Sequence, residues 1–129
     1  MALVINDRVK ENSTTSGTGN ITLAGVASGQ GNLTFNSGIG TSNTTYYCIF
    51  EQGTNTFEIG LGTLSGSTTL ERTTVINNSS GNTSKISFTG GTLDVFCTMP
   101  AAKTVYLDTT GNPVGAASAG FALAMAVAL

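Results

Sequence analysis

Histidine and tryptophan are absent from this chain of 129 residues. Histidine supplies the usual general base of enzymes, the imidazole of catalytic triads and the commonest metal ligand, so any catalysis would have to use carboxylates. Charged residues are also scarce, at 9% of the chain against roughly 25% in an average soluble domain. Hydrophobic residues make up 40% and the formal net charge is only −2, which excludes the composition of a disordered chain.

Basic residues are few and scattered, with five Lys and Arg in the whole chain. Proteins that bind nucleic acid neutralise neighbouring phosphates with clustered basic side chains, so we predict no nucleic-acid partner. The opening MALVINDRVKENS lacks the basic and long apolar regions of a signal peptide, and none is predicted. The uncharged run at 120–129 is about half as long as the roughly 20 apolar residues of a membrane span, which argues against a membrane partner.

The only two cysteines, Cys48 and Cys97, lie in the apolar runs YYCIF and VFCTM. Free cysteine behaves as a small buried hydrophobic residue, and the lack of an export signal gives no reason to expect an oxidising compartment. Two buried thiols are therefore predicted. A disulfide between two core strands is the alternative.

Short segments of strand-like alternation follow one another at intervals of about 8–12 residues, each closed by Gly, Asn or Ser. The segments LVINDRVKE and NITLAG predict one hairpin, and TTYYCIFEQG with TNTFEIGLGTL predicts a clearer one around 53–55. Further strands are predicted in TTLERTTVIN, KISFTGGTLDVFCTMP and KTVYLDTTGNPVG. We therefore predict an all-β fold, a single-domain antiparallel β-sandwich or small barrel over residues 1–115, followed by an apolar arm at 116–129.

Glutamates offer the nearest approach to a catalytic pair. Glu51 and Glu58 could meet across the second hairpin, and glycoside hydrolysis uses two carboxylates. Since Glu58 alternates with Phe57 and Ile59, and acidic residues are seldom buried, both glutamates are predicted to be solvated on an outer sheet face. No catalytic, metal-binding or cofactor-binding residue is assigned, no cofactor is expected, and the chain is not predicted to be an enzyme.

The C-terminal arm contains the candidate partner-binding residues. Large side chains alternate there with alanines, which favours a strand, although Ala, Leu and Met also favour a short helix. Such an arm could add a strand to the sheet edge of a neighbour, or it could be the last core strand of its own domain. The large residues are Phe121, Leu123, Met125, Val127 and Leu129.

Three blocks of the sequence are informative together: NDRVKENSTTSGTGNITLAG, TTYYCIFEQGTNTFEIGLGTLSGSTTLERTTVINNSSGN and GTLDVFCTMPAAKTVYLD. Their most specific pieces are DRVKE, FEIGLGT, LERTTV and VFCTMPAAKTVY. With these pieces the chain resembles a family of small β-rich virion proteins of tailed bacteriophages. The resemblance covers residues 6–108. This chain departs from the family in having Phe57 where Trp is frequent and Cys48 where another residue is common, and both departures are expected to affect core packing.

The resemblance implies a structural protein of the virion, assembled in the host cytoplasm and acting as a homo-oligomer, with a trimer as the guess. Its partners would be the major capsid protein or tail proteins. Family members occur as free-standing proteins and as modules attached to tail fibres. A capsid decoration protein is favoured here, because no fibrous repeat or tip domain accompanies the β-module. A tail or fibre module that binds a receptor or glycan is the alternative.

Overall fold

A computed structural model describes residues 1–115 of the chain. Its contacts divide into two compact units, Met1–Met99 and a second unit that begins at Pro100. The first unit is built almost entirely of strands, as predicted, with one helical turn, α1 (Phe35–Gly38). Its strands are β1 (Lys10–Ser13), β2 (Ser16–Gly17), β3 (Ile21–Thr22), β4 (Thr44–Glu51), β5 (Phe57–Gly66), β6 (Thr69–Asn78), β7 (Phe88–Thr89) and β8 (Leu93–Cys97).

Six of these strands form one antiparallel sheet in the order β1-β8-β4-β5-β6-β3, and β2 pairs separately with β7. The two ends of the sheet approach each other. Asn12 N donates to Gly25 O at 2.9 Å and Ala24 N donates to Asn12 O at 2.8 Å, so β1 contacts the segment that follows β3. The sheet is thereby nearly closed, which confirms the prediction of an all-β fold of the small-barrel kind.

The second predicted hairpin is confirmed, since β4 and β5 pair along their length and the turn between them contains Gly53. The first one is mostly wrong. Strand β1 pairs with β8, and β3 pairs with β6, so the two segments do not pair with each other in a ladder. They meet through the Asn12 hydrogen bonds and through Ser13 Oγ, which donates to Thr22 O at 2.7 Å. Alternation identified these strands correctly, but the turn-rich sequence between them indicated a local pairing that the long-range ladders override.

The hydrophobic core of the first unit lies inside the barrel. It is drawn from every part of that unit, including the single turn of helix, whose Phe35 is completely buried. The buried apolar residues are Val9, Ile21, Leu23, Phe35, Ile39, Tyr47, Ile49, Leu64, Leu70, Val75, Phe88, Leu93 and Val95. All of these described core residues lie between residues 9 and 95.

Two glycines on the inner face of β5 make room for the Tyr47 ring. A Cβ at Gly60 would lie 2.5 Å from Thr74 O and 2.6 Å from Tyr47 Oη, and Gly62 is nearly as crowded. These distances are shorter than real Cβ contacts. The glycines are therefore required by close packing rather than by a special backbone conformation.

Gly60→Ala is expected to lower the free energy of unfolding by about 1–3 kcal/mol, because the added methyl group must displace a strand or the buried tyrosine. Urea titration followed by circular dichroism would measure the loss. Gly66→Ala on the same strand is the matched control, since its Cβ would lie 3.7 Å from Thr69 Oγ1, an ordinary contact. Equal stability of the two variants would contradict the crowding argument.

The second unit, as far as it is described, consists of a 3-10 turn (Ala101–Lys103) and a small hairpin of β9 (Tyr106–Leu107) and β10 (Pro113–Val114). Asp108 organises its turn by accepting hydrogen bonds from Thr110 N and Asn112 N. The five predicted partner-binding residues of the arm lie outside the described residues. Over residues 1–115, no helix combines the length and the apolar character that a membrane crossing requires.

Candidate functional site

Three adjacent strands, β8, β4 and β5, present apolar side chains to the outside of the barrel. The residues in question alternate along β4 and β5 with buried ones, and they stand opposite one another across the ladders: Tyr46 faces Leu61, Cys48 faces Ile59, and Phe96 faces Cys48. Directly opposed residues lie on the same side of a sheet. We call this set the outer apolar face; it comprises Tyr46, Cys48, Phe50, Phe57, Ile59, Leu61 and Phe96.

The outer apolar face holds four of the nine aromatic residues of the chain, while three others are buried in the core. Each member is half-buried, since close neighbours cover part of each side chain. A sheet that packs its core on one side normally carries polar residues on the other. Aromatic residues concentrated in one uncharged patch are instead typical of the centre of a protein interface.

Polar residues border this face on both sides. Lys10 lies opposite Phe96, and its Nζ is 3.3 Å from Asp94 Oδ1 in an ion pair at the β1 and β8 side. On the β6 side, Thr74 lies opposite Leu61 and Asn77 lies opposite Ile59. The arrangement has the apolar centre and polar rim of a protein interface.

Burial on β5 is the reverse of the sequence-based expectation. Glu58 is fully buried, and the inward positions after it are the crowded glycines, whereas Phe57 and Ile59 lie on the outer side. Glu51 is also buried, with 1% of its surface exposed, so the prediction of two solvated glutamates was wrong. Phe57 and Cys48, which were expected to affect core packing, likewise lie on the outer apolar face.

Glu58 can be buried because its charge and both its oxygens are satisfied. Oε1 accepts hydrogen bonds from Tyr47 Oη and Arg72 Nε, both at 2.8 Å, and Oε2 accepts from Ile86 N at 2.7 Å and from the Arg72 Nη2 group. Both side chains of the Arg72–Glu58 ion pair are completely shielded from solvent. A buried charge is tolerated when it is paired and fully hydrogen-bonded in this way.

Arg72 connects the ion pair to two other segments of the chain, one around Gly17 and Gly19 and one at Ile86. Its Nη1 donates to Gly17 O and Gly19 O, both at 3.3 Å, and its Nη2 donates to Ile86 O at 2.6 Å. The guanidinium carbon also lies 5.3 Å from the centre of the Phe88 ring, within range of a cation–π contact. Burial, reinforced by the negative charge of Glu58, raises the pKa of Tyr47 far above its ordinary value, so the tyrosine remains a hydrogen-bond donor.

Glu51 holds a different loop. Its Oε1 accepts from Thr89 N at 3.0 Å, from the Thr89 hydroxyl and from Gly91 N at 3.4 Å, while its buried Oε2 has no hydrogen-bond partner among residues 1–115. A third buried glutamate, Glu11, accepts from Phe35 N at 2.8 Å. Each of these carboxylates is engaged by its own backbone donors, and Glu51 and Glu58 are not opposite each other in the ladder. The geometry does not join them into the carboxylate pair of a glycosidase.

Glu51 gives the protein a specific sensitivity to acid. The hydrogen bond from the Thr89 hydroxyl lowers the pKa of Glu51 below its ordinary value of 4.5, burial opposes that shift, and the backbone donors add to it. A carboxyl group whose pKa is lower in the folded state stabilises the fold above its unfolded pKa, and that stability is lost as the pH falls through the folded pKa.

We expect Glu51→Gln to flatten this acid dependence below about pH 5, because the amide does not titrate. Urea midpoints measured from pH 6 down to pH 3 should fall less steeply for the variant than for the native protein. Thr89→Val, which removes the hydroxyl donor but keeps the backbone one, should give an intermediate slope. Identical slopes for all three proteins would show that this carboxylate contributes nothing to the acid dependence.

Both cysteines are free thiols, and they lie on opposite sides of the sheet. Cys97 packs against the core, with its Sγ 3.4 Å from Thr45 Oγ1, whereas Cys48 is part of the outer apolar face. The prediction that both thiols are buried is thus met only in part, and the strands do not present the pair for a disulfide. Burial raises the pKa of the Cys48 thiol to about 11, so the outer apolar face carries no charge from it at neutral pH.

An open cleft of about 280 Å³ adjoins the outer apolar face at Phe96. Its polar lining comes from Arg8, Lys10 and Asn32. Arg8 has a φ of 60°, and its backbone is held there by a 2.7 Å hydrogen bond from Leu33 N to Arg8 O. The cleft therefore combines cationic and amide groups with one aromatic edge.

In the part of the chain that the structure describes, no group of three or more acidic or cysteine side chains is placed to hold a metal ion.

Comparison of the chain with protein-family models, with curated proteins and with solved structures gave no match. The outer apolar face is therefore the strongest candidate functional site. Sequence analysis missed it because the same alternation was assigned to the wrong side of the sheet.

Proposed function

We propose that this chain is a non-enzymatic structural protein of a tailed-phage virion, and that it acts by binding neighbouring proteins as a capsid decoration protein. The single observation that carries the proposal is the outer apolar face, which lies on the outside of a barrel that encloses a hydrophobic core of its own. The resemblance of residues 6–108 to small virion proteins supplies the setting. In that setting the partner is the major capsid protein, and assembly takes place in the host cytoplasm.

A small apolar surface can hold a decoration protein on a capsid because many copies bind side by side. A decoration protein binds a lattice in many copies, and each bound copy raises the effective concentration for its neighbours. A patch of modest size therefore suffices at each contact. The low charge of the chain also suits this role, since few charged groups must be desolvated when surfaces meet.

Immunogold electron microscopy of intact particles, made from the genome that encodes the chain, tests the proposal. We expect label distributed over the heads. Label confined to tail tips would reject decoration and leave the virion assignment in place. Particles without label, alongside a positive control antibody to the major capsid protein, would reject both.

A tail or fibre module that binds a glycan is the second candidate, and the cleft beside Phe96 favours it. Saccharide sites combine an aromatic surface with a few polar groups that fix orientation. Binding of the purified protein to an array of surface polysaccharides would support this function. Loss of that binding in Asn32→Ala, with the outer apolar face unchanged, would locate it in the cleft.

A further inference from the structure

The described part of the chain contains a second apolar surface besides the outer apolar face. In the second unit, 58% of Val105 is exposed just before the hairpin, and 53% of Tyr106 and 66% of Leu107 are exposed on its first strand. A two-stranded hairpin is marginally stable by itself in water, so this one gains stability if a partner covers it. The hairpin leads directly into the arm at 116–129, and no charged residue occurs anywhere in 109–129.

The outer apolar face matches a segment of this kind in chemistry and in size. Its three strands are about 4.8 Å apart and it spans five residues of β4, from Tyr46 to Phe50, so with side chains it covers on the order of 300–400 Å². A stable contact between two globular surfaces needs roughly 800 Å² from each partner. The face is thus too small for two barrels to pack face to face on it alone, but it suits a hairpin or an extended segment.

We propose that the outer apolar face of one copy binds the C-terminal segment, residues 105–129, of a neighbouring copy. That the segment comes from another copy rests on the proposed function, in which copies join one another. Each copy then contributes its segment to one neighbour and its face to another. Contacts of this head-to-tail kind close into a ring when the rotation between copies is a simple fraction of a turn.

Photo-crosslinking of the full-length protein identifies the occupant. Benzoylphenylalanine replaces Phe57 on the face, and ¹⁴N-labelled and ¹⁵N-labelled copies are mixed before irradiation. We expect cross-linked peptides that join position 57 of a copy carrying one isotope to residues 105–129 of a copy carrying the other. Links only within one isotope would assign the segment to its own chain, and links to residues 44–61 would indicate face-to-face packing; either result overturns the proposal.

Self-association provides the second measurement and stands even where the photo-reactive variant does not fold. Ile59→Thr, which keeps a β-branched residue on the strand, is expected to weaken association measured by sedimentation equilibrium by at least about tenfold. Leu107→Thr on the other side of the contact should do the same. Val26→Thr is the matched control, since Val26 is 41% exposed and lies outside both surfaces.

A native protein that sediments as a monomer at all concentrations would overturn the inference. So would equal association of Ile59→Thr and the Val26→Thr control. The outcome is separable from the virion assignment, because it is measured on purified protein. Cross-links between isotopes, together with particles that bind no immunogold label, would support this contact and reject the proposed function. Immunogold label on the heads, together with an absence of cross-links between isotopes, would support the function and reject this contact.

Discussion

Arg72→Met is expected to lower the free energy of unfolding by about 3–5 kcal/mol, the usual cost of breaking a buried ion pair by removing one partner. The change leaves the Glu58 carboxylate inside the barrel without its counter-charge. It also removes the donors that bind the Gly17, Gly19 and Ile86 carbonyls. Urea titration monitored by circular dichroism would measure the loss.

Lys10→Met is the matched control for that prediction. The Lys10–Asp94 ion pair belongs to the same sheet but lies nearer the surface, where 32% of the lysine side chain is exposed. Exposed pairs contribute only about 0–1 kcal/mol, so this variant should be nearly as stable as the native protein. A loss of stability in Arg72→Met as small as that of Lys10→Met would contradict the importance assigned to the buried pair.

A double-mutant cycle separates the pair from the loops that it organises. If Glu58 and Arg72 act chiefly on each other, the variant with both Glu58→Leu and Arg72→Met should lose much less stability than the sum of the two single variants. Recovery should be incomplete, because Tyr47 and the loop carbonyls lose their partners as well. Strict additivity would show that Glu58 and Arg72 have no net coupling energy, so the stability lost in each single variant would have to come from its other contacts.

The sequence was sufficient to predict most strands, but not the side of the sheet on which their residues lie. Alternation divides β5 into one set with Phe57 and Ile59 and another with Glu58, and it does not say which set is inside. Because the Phe57 and Ile59 set is apolar and Glu58 is charged, the sequence predicted that Glu58 faces solvent. The deciding contacts come from Arg72, 14 residues away in the chain, and from Tyr47, whose ring fills the space above Gly60.

Those contacts explain why the candidate site was also beyond prediction. A buried glutamate becomes acceptable only when a particular cation and particular backbone donors reach it, and their positions depend on the completed barrel. Once Glu58 is inside, Ile59 must point outward, because neighbouring residues on a strand lie on opposite faces. The outer apolar face is therefore a consequence of the polar interior. Its members were recognisable as apolar in the sequence, but their exposure was not.

Truncation after Val114 is expected to leave the barrel folded while weakening its association with partners by at least about 100-fold. The described core residues lie between residues 9 and 95, and we therefore expect the first unit to fold without the deleted residues. The deletion removes five large apolar side chains, each contributing about 1.5–3 kcal/mol on full burial. Ordering of the arm on binding offsets much of that sum, but a remainder of about 2.7 kcal/mol already corresponds to 100-fold in affinity.

Thermal unfolding and sedimentation of the truncated protein would distinguish the two roles left open for the arm. An unchanged melting temperature with lost association supports an adhesive segment. A matched full-length variant, with Leu123 and Val127 both replaced by Ser, should reproduce the loss of association because it removes apolar surface without shortening the chain. If the truncated protein unfolds, the arm belongs to the core of its own domain, and the apolar residues at 121–129 then serve the fold of one copy and not the contact between copies.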